Sequence, residues 1–142
     1  MIKYMVLIGG IFFSGSVLSQ DFCSVAEKDF NQEFNVYKKD GNAAFLKSMV
    51  AGGPLETDTS SLEKMKILTI VEKYLGNIES LSIFSRKQLG NKTCYLSAVL
   101  EYHGGPILAF ITYYDAPNSP TITSINIETN IQKMLAEGFF TQ

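Results

Sequence analysis

The sequence predicts an α+β domain with N-terminal helices packed on one face of a four-stranded antiparallel meander sheet. Three observations carry this. Apolar residues recur at helical spacing as far as about residue 75, and beyond it the period changes to two. Glycine-bearing pairs then punctuate the chain at hairpin intervals.

The elements follow in order. "MIKYMVLIGGIFFSGSVLSQ" carries one cation, Lys3, then an apolar core from Tyr4 to Phe13, and ends on Val17-Leu18-Ser19. This is the pattern of a signal peptide, residues 1–19, cleaved between Ser19 and Gln20. Its apolar core is short for a bilayer span, and Phe22 before Cys23 is unsuited to a lipidation signal. The expectation is an exported protein, secreted or periplasmic, with no stable membrane anchor and a single domain over residues 20–142.

Ala26, Phe30, Phe34 and Tyr37 form a helical stripe from Cys23 to Tyr37, which "KKDGN" ends. A short helix follows from Ala43 to Val50, broken by "GGP", and then a polar loop over residues 51–59. Ser60 with Glu63 predicts a capping box for a third helix, Ser61 to Leu75. Leu62, Met65, Leu68, Val71 and Leu75 make one stripe on it, and Ile67, Ile70 and Tyr74 a second. So wide an apolar face predicts burial on more than one side. Strands are predicted over 79–89, 92–103, 106–115 and 121–129, with two-residue turns at Gly90-Asn91 and Gly104-Gly105. A terminal helix over 131–137 precedes "GFFTQ".

This order of elements, over about residues 22–130, resembles the cystatin-like or nuclear transport factor 2-like superfamily. The resemblance implies a curved sheet wrapped around helices. The chain departs from many members in having no strand pair between its early helices.

Composition narrows the function. The chain has 12 Lys and Arg against 14 Asp and Glu, and the densest basic groups are Lys38-Lys39 and Arg86-Lys87. Nucleic acid is therefore not an expected partner, because phosphate binding needs a concentrated positive face. One histidine, His103, excludes a multi-histidine metal site. No cofactor motif is present: "AGGP" and "HGGP" lack the helix start that cradles phosphate and read as turns. Asn91-Lys92-Thr93 matches a glycosylation sequon at a turn.

Two cysteines, Cys23 and Cys94, in an oxidising compartment predict a disulfide. With Gly104-Gly105 as the turn, Tyr102 pairs with Ile107, Leu100 with Ala109, Ala98 with Ile111 and Leu96 with Tyr113. Leu81, Ile83, Ile125 and Ile127 join that face in the matching register, and Cys94 belongs to it too. Cys23 opens the helix that must cover it, so register and disulfide agree.

The opposite face collects Phe84, Tyr95, Val99, Leu108, Phe110, Tyr114 and Ile122 among Ser97, Thr112, Glu101 and His103. Such a face is either shielded by the terminal helix and "GFF" or is a contact surface. Phe84, Tyr95, Val99, Leu108, Phe110 and Tyr114 are the candidate interface residues. The resemblance adds sheet-to-sheet dimers as a precedent.

Chemistry has few candidates. His103 and Glu101 are placed to touch as a surface pair. Asp115, beside Tyr113 and with Tyr102, is the candidate acid–base group if it faces an apolar cavity. The alternative is that Asp115 opens the "DAPN" turn. The resemblance implies an inward acid with a tyrosine in those members that isomerise or dehydrate substrates. The reading is a non-enzymatic binding protein, inhibitor or immunity type included, that uses the outer sheet face toward itself (a homodimer) or another exported protein. The alternatives are a small apolar ligand held between helices and sheet, near Leu100, Tyr102 and Tyr113, or an acid–base enzyme.

Overall fold

The structure is a computed structural model, and it describes residues 21–130, without the side chains of Ser61, Lys64 and Met65. The predicted leader and the predicted terminal helix lie outside the described residues. Four helices precede four strands: α1 (Phe22–Asp40), α2 (Asn42–Val50), α3 (Thr59–Met65), α4 (Ile67–Leu75), β1 (Ile78–Leu89), β2 (Thr93–Tyr102), β3 (Gly105–Asp115) and β4 (Pro120–Glu128). The strands form one antiparallel meander in the order β1-β2-β3-β4. The predicted α+β class is the observed one.

Helix α1 starts at Phe22 because the Asp21 carboxylate accepts from the Cys23 N–H at 3.2 Å. It runs past Tyr37 to Asp40, with Lys38 and Lys39 complementing the last turn. Gly41, at φ 86°, then turns the chain directly into α2. The predicted third helix is two helices joined at Lys66, whose N–H is shared between the Leu62 and Glu63 carbonyls. Its start is also earlier than expected: Asp58 accepts from the Ser60 N–H at 3.3 Å, so Ser60 is not the cap.

The core lies between α1, α2 and α4 and one face of the sheet. Ala26, Phe30, Phe34 and Tyr37 from α1 and Phe45, Met49 and Val50 from α2 are buried, with Leu68 and Val71 from α4. The sheet contributes Cys94, Leu96, Ala98, Leu100 and Tyr102, Ile107, Ala109, Ile111 and Tyr113, and Ile122. Cys23 and Cys94 form a disulfide with Cα atoms 5.1 Å apart, tying the first turn of α1 to β2.

The strand register corrects the sequence reading by two residues. Leu100 pairs with Ile107, Ala98 with Ala109, Leu96 with Ile111 and Cys94 with Tyr113. A two-residue shift preserves side-chain parity, so the inner and outer faces are as expected although every pair differs. The hairpin tip is His103-Gly104, flanked by paired Tyr102 and Gly105. The β1–β2 turn has three residues, Gly90 to Lys92, because Leu89 pairs with Thr93.

Three irregularities move side chains between faces, the first between Ile78 and Ser80 in β1. The register between β1 and β2 shifts at Phe84, and Arg86 then lies opposite inner-face Leu96. From there it reaches Glu27 on α1 at 2.9 Å. The third shift, between β3 and β4, pairs Ile122 with Tyr113 and buries it in the main core. Ile122 therefore belongs to the inner face, contrary to the sequence reading.

Candidate functional site

The outer face of the sheet is built by alternation. Tyr95 lies opposite Thr112, Ser97 opposite Phe110, Val99 opposite Leu108 and Thr93 opposite Tyr114. Five of the six candidate interface residues thus share one face, and Phe84 sits at the β1 bulge beside it. Leu108 and Phe110 form a small second core with Tyr95 and Val99 packed against them. The Tyr95 and Phe110 rings stack with centroids 6.1 Å apart. Partial burial pushes the Tyr95 phenol up from its ordinary pKa.

Burial divides this face. Leu108 and Phe110 are 2% and 5% exposed within the single chain, while Phe84 and Tyr114 are 39% and 40% exposed. The two central residues are thus interior, and the surface left for contact is the ring around them. Ser97, beside Phe110, is the buried polar residue of this face.

Charge on the face is sparse and separated. Lys87, opposite Tyr95, lies toward the end that carries the β1–β2 turn. Glu101, opposite Pro106, and Glu128, opposite Leu108, lie toward the other end. Glu101 accepts a hydrogen bond from the Ser80 hydroxyl and does not meet His103. His103 instead pairs with Glu79 at 3.1 Å, fully in the open at the hairpin tip.

The proposed acid–base trio does not assemble. Asp115 is exposed at the end of β3, where its N–H donates to the Lys92 carbonyl at 2.8 Å, while Tyr113 and Tyr102 are interior. The expected pocket near Leu100, Tyr102 and Tyr113 is occupied by these side chains themselves, each no more than 3% exposed and part of the packed core.

Of the buried tyrosines, Tyr113 and Tyr37 lie against carboxylates from helices, and Tyr102 meets Tyr37. The Tyr113 hydroxyl lies near Asp29, without a well-formed hydrogen bond to it, and near Glu33 one turn further along α1. Burial and these two negative neighbours raise the Tyr113 pKa strongly, and burial raises that of Asp29. At the other end of α1, the Tyr37 hydroxyl donates to Glu72 Oε1 at 2.6 Å and stands 3.1 Å from the Tyr102 hydroxyl. Burial pushes Tyr102 up to about 12. Asn42 donates to the second oxygen of Glu72, so both carboxylate oxygens are engaged. This cluster ties α1, α2, α4 and β2 together and was not anticipated: Tyr37 and Glu72 are 35 residues apart, with no local pattern to join them.

The second apolar stripe of α4 was expected to be buried and is not. Ile70 and Tyr74 are 54% and 77% exposed. With Ile67 they border a groove against Gly104, Pro106 and Ile107 at the hairpin tip. One helix packed on one sheet face has a single covered side, so the second stripe faces out. Among the described residues no three His, Cys, Asp or Glu side chains cluster as metal ligands would, and no helix is long and apolar enough to cross a membrane. No family model matches the chain, and no curated protein matches its sequence.

Proposed function

We propose that the chain is an exported, non-enzymatic binding protein whose outer sheet face holds a second copy of the same chain. One observation carries the reading. Around the buried Leu108 and Phe110, on the face opposite the helices, Tyr95 and Val99 remain partly exposed and Tyr114 is 40% exposed. The disulfide supports export, because such bonds persist in oxidising compartments.

Charge complementarity favours self-association. Stacking two such faces with strands antiparallel brings Lys87 of one copy over the Glu101 and Glu128 end of the other, at both ends. The charged ends then match while the partly exposed ring of Tyr95, Val99 and Tyr114 supplies the apolar contact.

The test is a charge exchange. Lys87→Glu weakens association in sedimentation velocity, and adding Glu101→Lys with Glu128→Lys restores it. A dimer indifferent to both changes, but broken by Tyr74→Glu on α4, would move the interface to the helical side. A monomer that captures a different exported protein through Val99 and Tyr114 would replace the self-association reading.

A further inference from the structure

Helix α2 carries two faces. Phe45, Met49 and Val50 enter the core, while Ala43, Leu46 and Lys47 form a second stripe that continues to the edge of Val50. On the other side, Leu62, Lys66 and Thr69 fall on one face of the α3–α4 pair, which bends at Lys66. The two faces enclose an open groove of about 530 Å³. Its size is that of a small-molecule site, and it is separate from the outer sheet face, with core residue Val50 in its lining.

The walls are tied at one end, where the Thr69 hydroxyl donates to Asn42 Oδ1 at 3.4 Å. Asn42 is itself held by Glu72, so this end is braced by the buried tyrosine cluster. Glu56 lines the groove from the loop, and its carboxylate accepts from the Gly52 N–H at 3.0 Å. Each wall carries one lysine, Lys47 and Lys66, and neither forms an ion pair among the described residues. Leu62 is 38% exposed and Leu46 half-buried, so the apolar lining is accessible from solvent.

We propose that this groove binds a free amphiphile with an apolar chain and an anionic head, the chemistry of a fatty acid. The chain covers Ala43, Leu46 and Leu62 above the buried Val50, and the head lies between Lys47 and Lys66. One carboxylate against two lysines leaves the groove net positive, which selects a charged head over a neutral one. This site is separate from the sheet face, and it stands or falls independently of self-association.

The test uses the oxidised protein and dansyl-labelled undecanoate, a fluorescent fatty acid, with oleate as competitor. Saturable fluorescence enhancement is expected, reversed by oleate and about 10-fold less effectively by oleyl alcohol, which has the same chain but no charge. Ala43→Trp, which fills the groove from an exposed position, should abolish binding. Lys47→Glu with Lys66→Glu should weaken it about 10-fold, whereas Lys39→Glu with Lys92→Glu, outside the groove, should leave it unchanged. Absence of saturable binding would overturn the proposal, as would binding indifferent to Ala43→Trp. Co-sedimentation with phosphatidylglycerol vesicles, without soluble oleate binding, would overturn it in favour of a membrane surface.

Discussion

Tyr37 and Tyr102, 65 positions apart in the chain, meet hydroxyl to hydroxyl at 3.1 Å inside the protein. Tyr37 gives its proton to Glu72, which leaves its oxygen to accept from Tyr102. Tyr37→Phe therefore strands both Glu72 Oε1 and the Tyr102 hydroxyl, and should cost about 1–3 kcal/mol. Tyr102→Phe removes only an outer donor and should cost about 1 kcal/mol or less. Urea unfolding of both single variants and the double variant checks this, with the double less destabilised than the sum.

Removing the disulfide releases a constraint between positions 71 residues apart. Cys23→Ser with Cys94→Ser should lower stability by about 2–4 kcal/mol. The fold should persist at low temperature, because Phe30, Leu96 and Ile111 hold the core without it. Circular dichroism melting of oxidised, reduced and double-serine protein gives the comparison.

Asp29 should make stability depend on pH. Burial raises its pKa in the folded chain, so the folded state holds that proton more tightly than the unfolded state does. Stability from this group is present below the ordinary carboxylate value of about 4 and is lost as pH rises through the raised value. At neutral pH the ionised group is a net cost. Asp29→Asn should raise the melting temperature by a few degrees at neutral pH, and the gain should vanish in acid. A gain that is the same at both pH values would contradict the assignment.

The hairpin tip is bonded by backbone to the end of α4 and the turn after it: Gly104 N–H donates to the Leu75 carbonyl, and His103 N–H to that of Asn77 at 3.0 Å. A Cβ at Gly104 would stand 3.0 Å from both the Leu75 Cα and its carbonyl oxygen. Backbone cannot rotate away, so Gly104→Ala should cost about 1–3 kcal/mol. Gly90→Ala meets no neighbouring atom, and its cost should come only from the positive φ of 70° there. Chemical denaturation of the two variants separates contact from conformation.

Much of this architecture was legible from the residues. Period-two alternation marked four strands, and parity alone placed Cys94, Leu96 and Leu100 on the helix side. Parity does not determine pairing, however, since a two-residue slip leaves Tyr102 and Ile107 inward in either register. The turn closed one position earlier than glycine spacing implied, because Gly104 had to fit against Leu75. Bulges carry no compositional mark, so the inward turn of Ile122 and the position of Arg86 went unread. The candidate site was legible as a face and illegible in depth. Alternation put Leu108 and Phe110 opposite the helices, but only coordinates show that they are interior while Tyr114 is half-exposed. The Tyr37–Glu72–Tyr102 cluster joins three distant segments and had no local signature. The exposed Tyr74 followed helical spacing like any core residue, and only the absence of a second covering layer among the described residues sets it apart.

The most direct test of the central claim is the mass of the oxidised protein, residues 20–142, by light scattering across a concentration series. The account predicts twice the chain mass at high concentration, falling toward one chain on dilution, with Val99→Glu monomeric throughout and as helical and sheet-rich as the parent. A mass of one chain at every concentration, or a dimer that Val99→Glu leaves intact, would contradict it.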